Sequence, residues 1–444
     1  MSTSLNALIS FLKIPSISAD PLHHRDINSC AQWLCDFLTS QRLRAEVCET
    51  PGHPIVLAKN EHRPDRKTVL FYGHYDVQPV DPLERWNSPP FEPKVADGSI
   101  YARGATDNKG QIMAHILGVA SFLAAGDDLP LNVTFLIEGE EEVGSTNLEA
   151  FIRERQEQLA CDVVVISDTG MLGRGIPTLT YSLRGLVSCE LTLTGPSSDL
   201  HSGIYGGAVL NPATALSKML ASLHDDNHRV TIPGFYDAVK PLQEEERVAL
   251  SQCPLNDEKL QKTTGVPCLV GEAGYTPLEC CRARPTVEIN GLTSGYQGVG
   301  SKTIVPSQAK VKLSARLVAD QEPSAIMELM EKHFHRIVPN GVTMQFKPEH
   351  QGSPYFLDPK SKLSQVAQRT LSKIFNAETV AIREGGSIPI VAKISEILGV
   401  DVLLAGLSLP EANTHAPNES FLLENFEAGI RLNQELLKEL SEAL

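Results

Sequence analysis

A chain of 444 residues with 42% apolar and 21% charged residues has material for two hydrophobic cores and the profile of a globular protein, which excludes disordered and fibrous classes. Its formal charge of −15 argues against a nucleic-acid partner, whose phosphates it would repel. There is no apolar stretch of about 18 residues and no basic, then apolar, N-terminal segment, so neither a membrane partner nor a signal peptide is expected; nine irregularly spaced Cys without a CxxC pair read as reduced thiols of a cytoplasmic protein.

In chain order, Leu5, Leu8, Ile9 and Leu12 share one helical face and predict an amphipathic N-terminal helix. Thr68–Tyr72 is the first of four short apolar runs that do not alternate. The others are Val133–Ile137, Val163–Ile166 and Val402–Ala405. Such runs fit strands buried on both faces, as in a largely parallel sheet. Ile112, Ile116, Val119 and Leu123 place a helix between the first two runs. From Val187 to Thr194, and again from Lys310 to Leu317, every second residue is apolar, which predicts antiparallel strands with one wet face. Helical patterns cover Pro212–Leu223 and Pro323–His333, and a last helix carries Leu423, Phe426, Ile430 and Leu437. The expected fold is an α/β domain with a mostly parallel mixed sheet flanked by helices, interrupted by an α+β lid or dimerisation domain with an antiparallel sheet. The boundaries this gives are 1–186, 187–354 and 355–444. Gly295 to Thr303 mimics a phosphate loop, but Ser301 separates Gly300 from Lys302 and an extended Ile304-Val305-Pro306 follows, so nucleotide binding is rejected.

Open α/β sheets bind ligands beyond the carboxyl ends of their strands. The first apolar run leads into Gly73-His74-Tyr75-Asp76, the second into Glu138 through Glu142, and the third into Ser167-Asp168. The fourth precedes a loop ending in His415, and Asp107 sits just before the helix that carries Ile112 and Ile116. Singly, each of these is more simply a packed histidine or a solvated acid. Together, placed directly after buried strands, they would repel one another unless cations were present. A mixed set of imidazoles and carboxylates suits paired zinc or manganese.

The segments Gly73–Val77, Arg103–Gly110, Glu141–Ser145, Ile166–Asp168 and Asp199–Gly207 resemble, in order and over nearly the whole chain, the di-zinc exopeptidase superfamily that includes acetylornithine deacetylase, succinyl-diaminopimelate desuccinylase and aminoacylase. The likeness is strongest to its cytosolic nonspecific dipeptidase, or carnosinase-like, branch. The resemblance implies two divalent metal ions per subunit, zinc first, with manganese or cobalt as substitutes. Asp107 would bridge them, His74 and Asp168 would complete one site, and Glu142 and His415 the other. Glu141 would be the general base and Asp76 the group that orients His74. A cis peptide is expected after Asp107. His201 would reach the active site of a neighbouring subunit, making a homodimer part of the chemistry. A small peptide substrate would meet Thr303, Arg316, His350, Glu384 and Ser387. Arg316, at the end of an alternating strand, suits a bidentate clamp on a terminal carboxylate, and Glu384 suits a free α-amino group.

The expected function is hydrolysis of the amide bond of short peptides, above all dipeptides. An N-acyl-amino-acid deacylase would share the metals and the base but need no amine site. A non-catalytic metal-binding scaffold would have no use for Glu141, and a Rossmann-type dehydrogenase would need a GxGxxG that is missing after the first strand.

Overall fold

The structure, a computed structural model that describes residues 3–126, 128–251, 253 and 255–444, divides the chain into two units. The first takes Met1–Tyr181, Leu357–Ile382 and Lys393–Leu444; the second takes Ser182–Phe356 with Arg383–Ala392. The last segment is tied to the second unit by ion pairs of Arg383 with Glu246 and of Glu384 with Arg282.

In the first unit the non-alternating runs lie side by side. Asn132–Glu138, Thr68–His74, Val163–Ile166 and Val402–Leu404 are neighbours in that order, and each pair is parallel. Ile55–Lys59 and Arg44–Cys48 extend the sheet antiparallel on one side, and Thr180 pairs antiparallel with Leu404 on the other. The central strands are buried at every residue because helices cover both faces, which is why their sequences show no alternation. The helix Lys109–Ala125 packs against Leu423–Ala443 and Thr3–Leu12. Its first eight residues are all buried, so it is sunk in the core with little polar face left over. Gly118 lets the two long helices touch, since a Cβ there would lie 2.6 Å from Asn433 Cβ and 3.0 Å from the Ile430 carbonyl oxygen.

The second unit holds the alternating strands. Thr286–Ser294, Gln308–Leu317, Gly185–Thr194 and Thr343–Gly352 form an antiparallel sheet in that order. Its inward residues, among them Val187, Leu191, Val311 and Leu313, pack on Leu216 and Met219 of the helix Pro212–Ala221 and on Met330 and Phe334 of the helix Pro323–Ile337. Full burial of such a side chain contributes roughly 1.5–3 kcal/mol, so this face is a main source of the unit's hydrophobic stabilisation. Three short helices, Glu244–Ser251, Asp257–Thr264 and Pro277–Ala283, were not foreseen. The first two are largely charged, with too few apolar residues to show a periodic stripe; the third starts at a capping box between Thr276 and Glu279. After Gly295–Thr303 comes the short strand Ile304–Val305, not a helix, in keeping with the rejection of a phosphate loop.

Candidate metal centre

Because Thr68–His74, Asn132–Glu138 and Val163–Ile166 run parallel, their carboxyl ends open on one edge of the sheet. His74 is the last residue of its strand and is fully buried. Glu138 ends the next strand, and the chain then winds through the 3-10 turn Glu141–Val143 and reverses at Ser145, whose φ is +50°. Glu138 Oε1 accepts from Tyr72 Oη at 2.5 Å and from Ser145 Oγ at 2.8 Å, which fixes that turn to the sheet. Asp168 stands two residues beyond the third strand. Asp107 precedes the buried helix, and the Asp107–Asn108 peptide is cis. His415 sits in a loop where Asn413, His415 and Asn418 all take left-handed φ.

These elements bring the expected ligands together. His74 Nε2 lies 3.1 Å from Asp107 Oδ1 and 3.7 Å from Asp168 Oδ1. His415 Nε2 lies 2.8 Å from Asp107 Oδ2 and 3.3 Å from Glu142 Oε2. Asp107 thus offers one oxygen to each histidine, the placement a bridging carboxylate needs. Asp76 is fully buried; its backbone carbonyl is 3.1 Å and its Oδ1 3.4 Å from His74 Nδ1, and its two carboxylate oxygens accept from the backbone N–H groups of Glu141 and Glu142 at 3.3 and 3.1 Å. It therefore orients one imidazole and anchors the turn that carries the two glutamates.

The electrostatics of this cluster call for cations. Burial disfavours charge on His74, but the carboxylates of Asp107, Asp168 and Asp76 outweigh it and hold its imidazole well above the usual range. His415, beside Asp107 first and Glu142 second, is pushed up to about 10. Asp107 is held below the ordinary carboxylate range; its burial opposes this, and the two histidines prevail. Burial raises Asp168, and raises Glu141 well above its usual value, with neighbouring carboxylates adding to both. Carboxylates outnumber imidazoles here, an arrangement divalent cations relieve.

The donor set fits metal ions on its own geometry. His74, Asp107 and Glu142 each present a ligand atom within 4.8 Å of the others'. His74 Nε2 and Glu142 Oε1 are buried without a hydrogen-bond partner, the state expected of lone pairs aimed at a cation. Nitrogen and carboxylate oxygen together are a zinc-type set that manganese or cobalt also accepts.

The other expected residues lie in the second unit. His201 and Thr303 come together where Leu200–His201 pairs with Ile304–Val305: Ser202 N donates to the Thr303 carbonyl at 3.0 Å, and His201 Nδ1 accepts from Gly203 N. Arg316 Nη1 donates to Ser387 Oγ at 2.7 Å. His350 is exposed on the strand Thr343–Gly352, its backbone N–H bonded to Ser188 Oγ. The Glu384 carboxylate already has partners, Arg282 Nη1 at 3.0 Å and Gly385 N at 2.7 Å, so an incoming ammonium would share it with a guanidinium.

Three supporting residues escaped the sequence reading. Asn108 Nδ2 donates to Asp168 Oδ1 at 2.8 Å and to the Ser167 carbonyl, and Gln78 Nε2 donates to Glu142 Oε2 at 2.7 Å. Arg184 Nε donates to the Gly385 carbonyl, and its side chain and that of Arg316 line a cavity of about 590 Å³ within the second unit. Asn108 could have been noticed from its place beside Asp107. Gln78 and Arg184 carry no signal apart from the fold.

A parallel sheet that gathers two imidazoles and three carboxylates at one edge, in a chain with a second, antiparallel unit, fits a metallopeptidase. The sequence model of peptidase family M20/M25/M40 matches residues 70–439, and the chain belongs to that family. Among curated relatives it is 32% identical to the Cys-Gly metallodipeptidase dug1 of Schizosaccharomyces pombe, over 95% of this chain and 92% of that protein. It is also 32% identical to the human Beta-Ala-His dipeptidase, over 86% of this chain and 76% of that protein. Among solved structures, the M20 family metallo-carboxypeptidase Sso-CP2 from Sulfolobus solfataricus matches with a TM-score of 0.86 and 34% identity, covering all of both chains.

Proposed function

We propose that this chain is a two-metal dipeptidase that hydrolyses the amide bond of short peptides with free termini. The observation that carries the reading is Asp107 with one oxygen turned to each histidine, beside a Glu141 that no ligand role accounts for. His74, Asp107 and Asp168 would hold one ion, and Asp107, Glu142 and His415 the other. Bound there, the pair of cations, zinc first, supplies an acidified water and polarises the scissile carbonyl.

The protein's own groups do the rest. Asp76 holds His74 Nδ1 so that Nε2 faces the centre. Asn108 and Gln78 pin one oxygen each of Asp168 and Glu142 by donating to it. Glu141, desolvated and crowded by like charge, is a stronger base than a solvated carboxylate; it takes a proton from the attacking water and passes it to the leaving amine. Arg316, held by Ser387, receives the terminal carboxylate. Thr303, His350 and Glu384 complete substrate recognition, with Glu384 and Arg282 together setting the charge that the amino end meets. His201 of a neighbouring subunit in a homodimer would add a donor to the oxyanion of the tetrahedral intermediate. A cytoplasmic setting suits the free thiols found at all nine cysteines.

A second reading, release of C-terminal residues from longer peptides, is favoured by the likeness to the Sulfolobus metallo-carboxypeptidase. The two are separated by assaying metal-stripped enzyme, with zinc or manganese restored, on dipeptides, their N-acetylated analogues and tetrapeptides. Cleavage confined to free dipeptides is expected. Equal cleavage of tetrapeptides would establish the carboxypeptidase, and preference for acetylated substrates would establish a deacylase.

A further inference from the structure

Glu419 is fully buried four residues beyond His415, and its carboxylate is filled by donors from the loop that ends in Asp107. Oε1 accepts from the backbone N–H groups of Thr106 at 2.9 Å and Asp107 at 3.1 Å. Oε2 accepts from Gly104 N at 2.9 Å and from Arg103 Nη1 at 2.8 Å. The backbone closes the same junction: Ala102 N donates to the Glu419 carbonyl at 3.1 Å, and Ser420 pairs with Tyr101. Arg103, itself buried, also donates to the Pro79 carbonyl at 2.9 Å, which ties in the segment just beyond His74 and Asp76. One anion thus gathers three chain segments that supply His74, Asp107 and His415.

We propose that Glu419 is a positioning residue: it holds the Asp107 loop and the His415 loop in one frame, so that Asp107 Oδ2 and His415 Nε2 meet at ligand distance before any metal arrives. The inference rests on the two-metal reading of the site. Without Glu419, three buried backbone N–H groups lose their acceptor and the loop has no reason to keep its curvature around the side chain. The His415 loop, with three residues in left-handed conformation, would then keep the bonds of Asn418 and the backbone pairing of Ser420 but lose its side-chain tie to the Asp107 loop. Glu419→Gln keeps the volume, but whichever way the amide turns, its NH2 faces two donors that the carboxylate accepted. Glu419→Asp keeps the charge on a shorter arm.

The test is zinc affinity of the metal-stripped full-length protein, measured by competition with a chromophoric chelator, alongside thermal unfolding of the same metal-free samples. Wild-type protein is expected to take up zinc tightly. Glu419→Gln, assayed well below its own unfolding midpoint, should bind zinc roughly ten- to a hundredfold more weakly. Glu419→Asp should fall between the two, and it serves in the same way if the Gln variant does not fold. A purely structural role would lower the unfolding midpoint and leave the zinc affinity of the folded fraction alone. Zinc binding within twofold of wild type in folded Glu419→Gln, or in Glu419→Asp where the Gln variant does not fold, would overturn the proposal. Failure of wild-type protein to bind zinc at all would instead overturn the two-metal zinc reading of the site, and this inference with it.

Discussion

The two sheets of this molecule place polar side chains by opposite rules. In the second unit, Gln308–Leu317 alternates buried and wet residues from end to end, so charge goes to solvent and the core stays apolar. In the first unit, Thr68–His74 and Asn132–Glu138 are buried throughout, and the acids and imidazoles stand where the strands stop, as His74, Asp76, Glu138 and Glu141. The antiparallel sheet builds a platform. The parallel one concentrates desolvated, mutually repelling groups on a single edge, and that edge is where the chemistry belongs. Changes at the strand ends should therefore remove activity and spare the fold, whereas changes in the platform's core should do the reverse.

The largest effect is expected from Glu141→Gln. Removing the general base should lower kcat by roughly 10²- to 10⁴-fold while bound metal, measured by elemental analysis, and thermal stability stay close to wild type. Loss of metal in this variant would mean Glu141 is a ligand. On the other side of the comparison, Phe334→Ala empties part of the second unit's core and should cost about 3–5 kcal/mol in denaturant unfolding. If it left stability intact and removed turnover, the division of labour between the units would be wrong.

A third prediction sharpens the account of buried polarity. His115, on the helix Lys109–Ala125, is buried with Nδ1 2.7 Å from Asn433 Oδ1, and burial pushes its imidazole down to about 4. Between that value and the ordinary 6.5 of the unfolded chain, the unfolded state binds more protons. The native contribution is whole above pH 6.5 and disappears as pH falls toward 4, amounting to about 3 kcal/mol. Chemical denaturation at pH 7 and pH 4.5 should show this extra acid loss in wild type, and a His115→Gln variant should lack it. The smallest effect concerns Arg316, the proposed carboxylate clamp. Arg316→Lys keeps the charge but gives up the planar fork, so KM for unblocked dipeptides should rise about tenfold with kcat little changed. A fall in kcat at constant KM would move Arg316 from carboxylate binding to the reacting centre.

Much of this was legible in advance because the two rules leave different marks on a sequence. Runs such as Val163–Ile166 and the alternation of Val187–Thr194 announce a doubly buried and a half-wet strand before any coordinates exist. The first-unit candidates were legible as interruptions, since acids and imidazoles have no place directly after buried strands unless something neutralises them. The supporting residues were not. Glu419 reads as one more acid near a helix start, and Gln78 and Asn108 as turn residues; their partners lie far away in the chain, and only the fold brings them close. Glu384 shows another limit, because its partner Arg282, a residue 102 positions away, could not be read beside it from the sequence. The charged helices Glu244–Ser251 and Asp257–Thr264 were missed because too few of their residues are apolar to set up a helical period.

The central claim is a centre for two cations joined by Asp107. It is tested most directly by titrating metal-stripped protein with zinc while following both bound metal and hydrolysis of an unblocked dipeptide. The account predicts uptake of two equivalents per chain, with full turnover only as the second is taken up, and loss of both uptake and turnover in Asp107→Asn. Full activity at one equivalent, or hydrolysis that persists without metal, would contradict it.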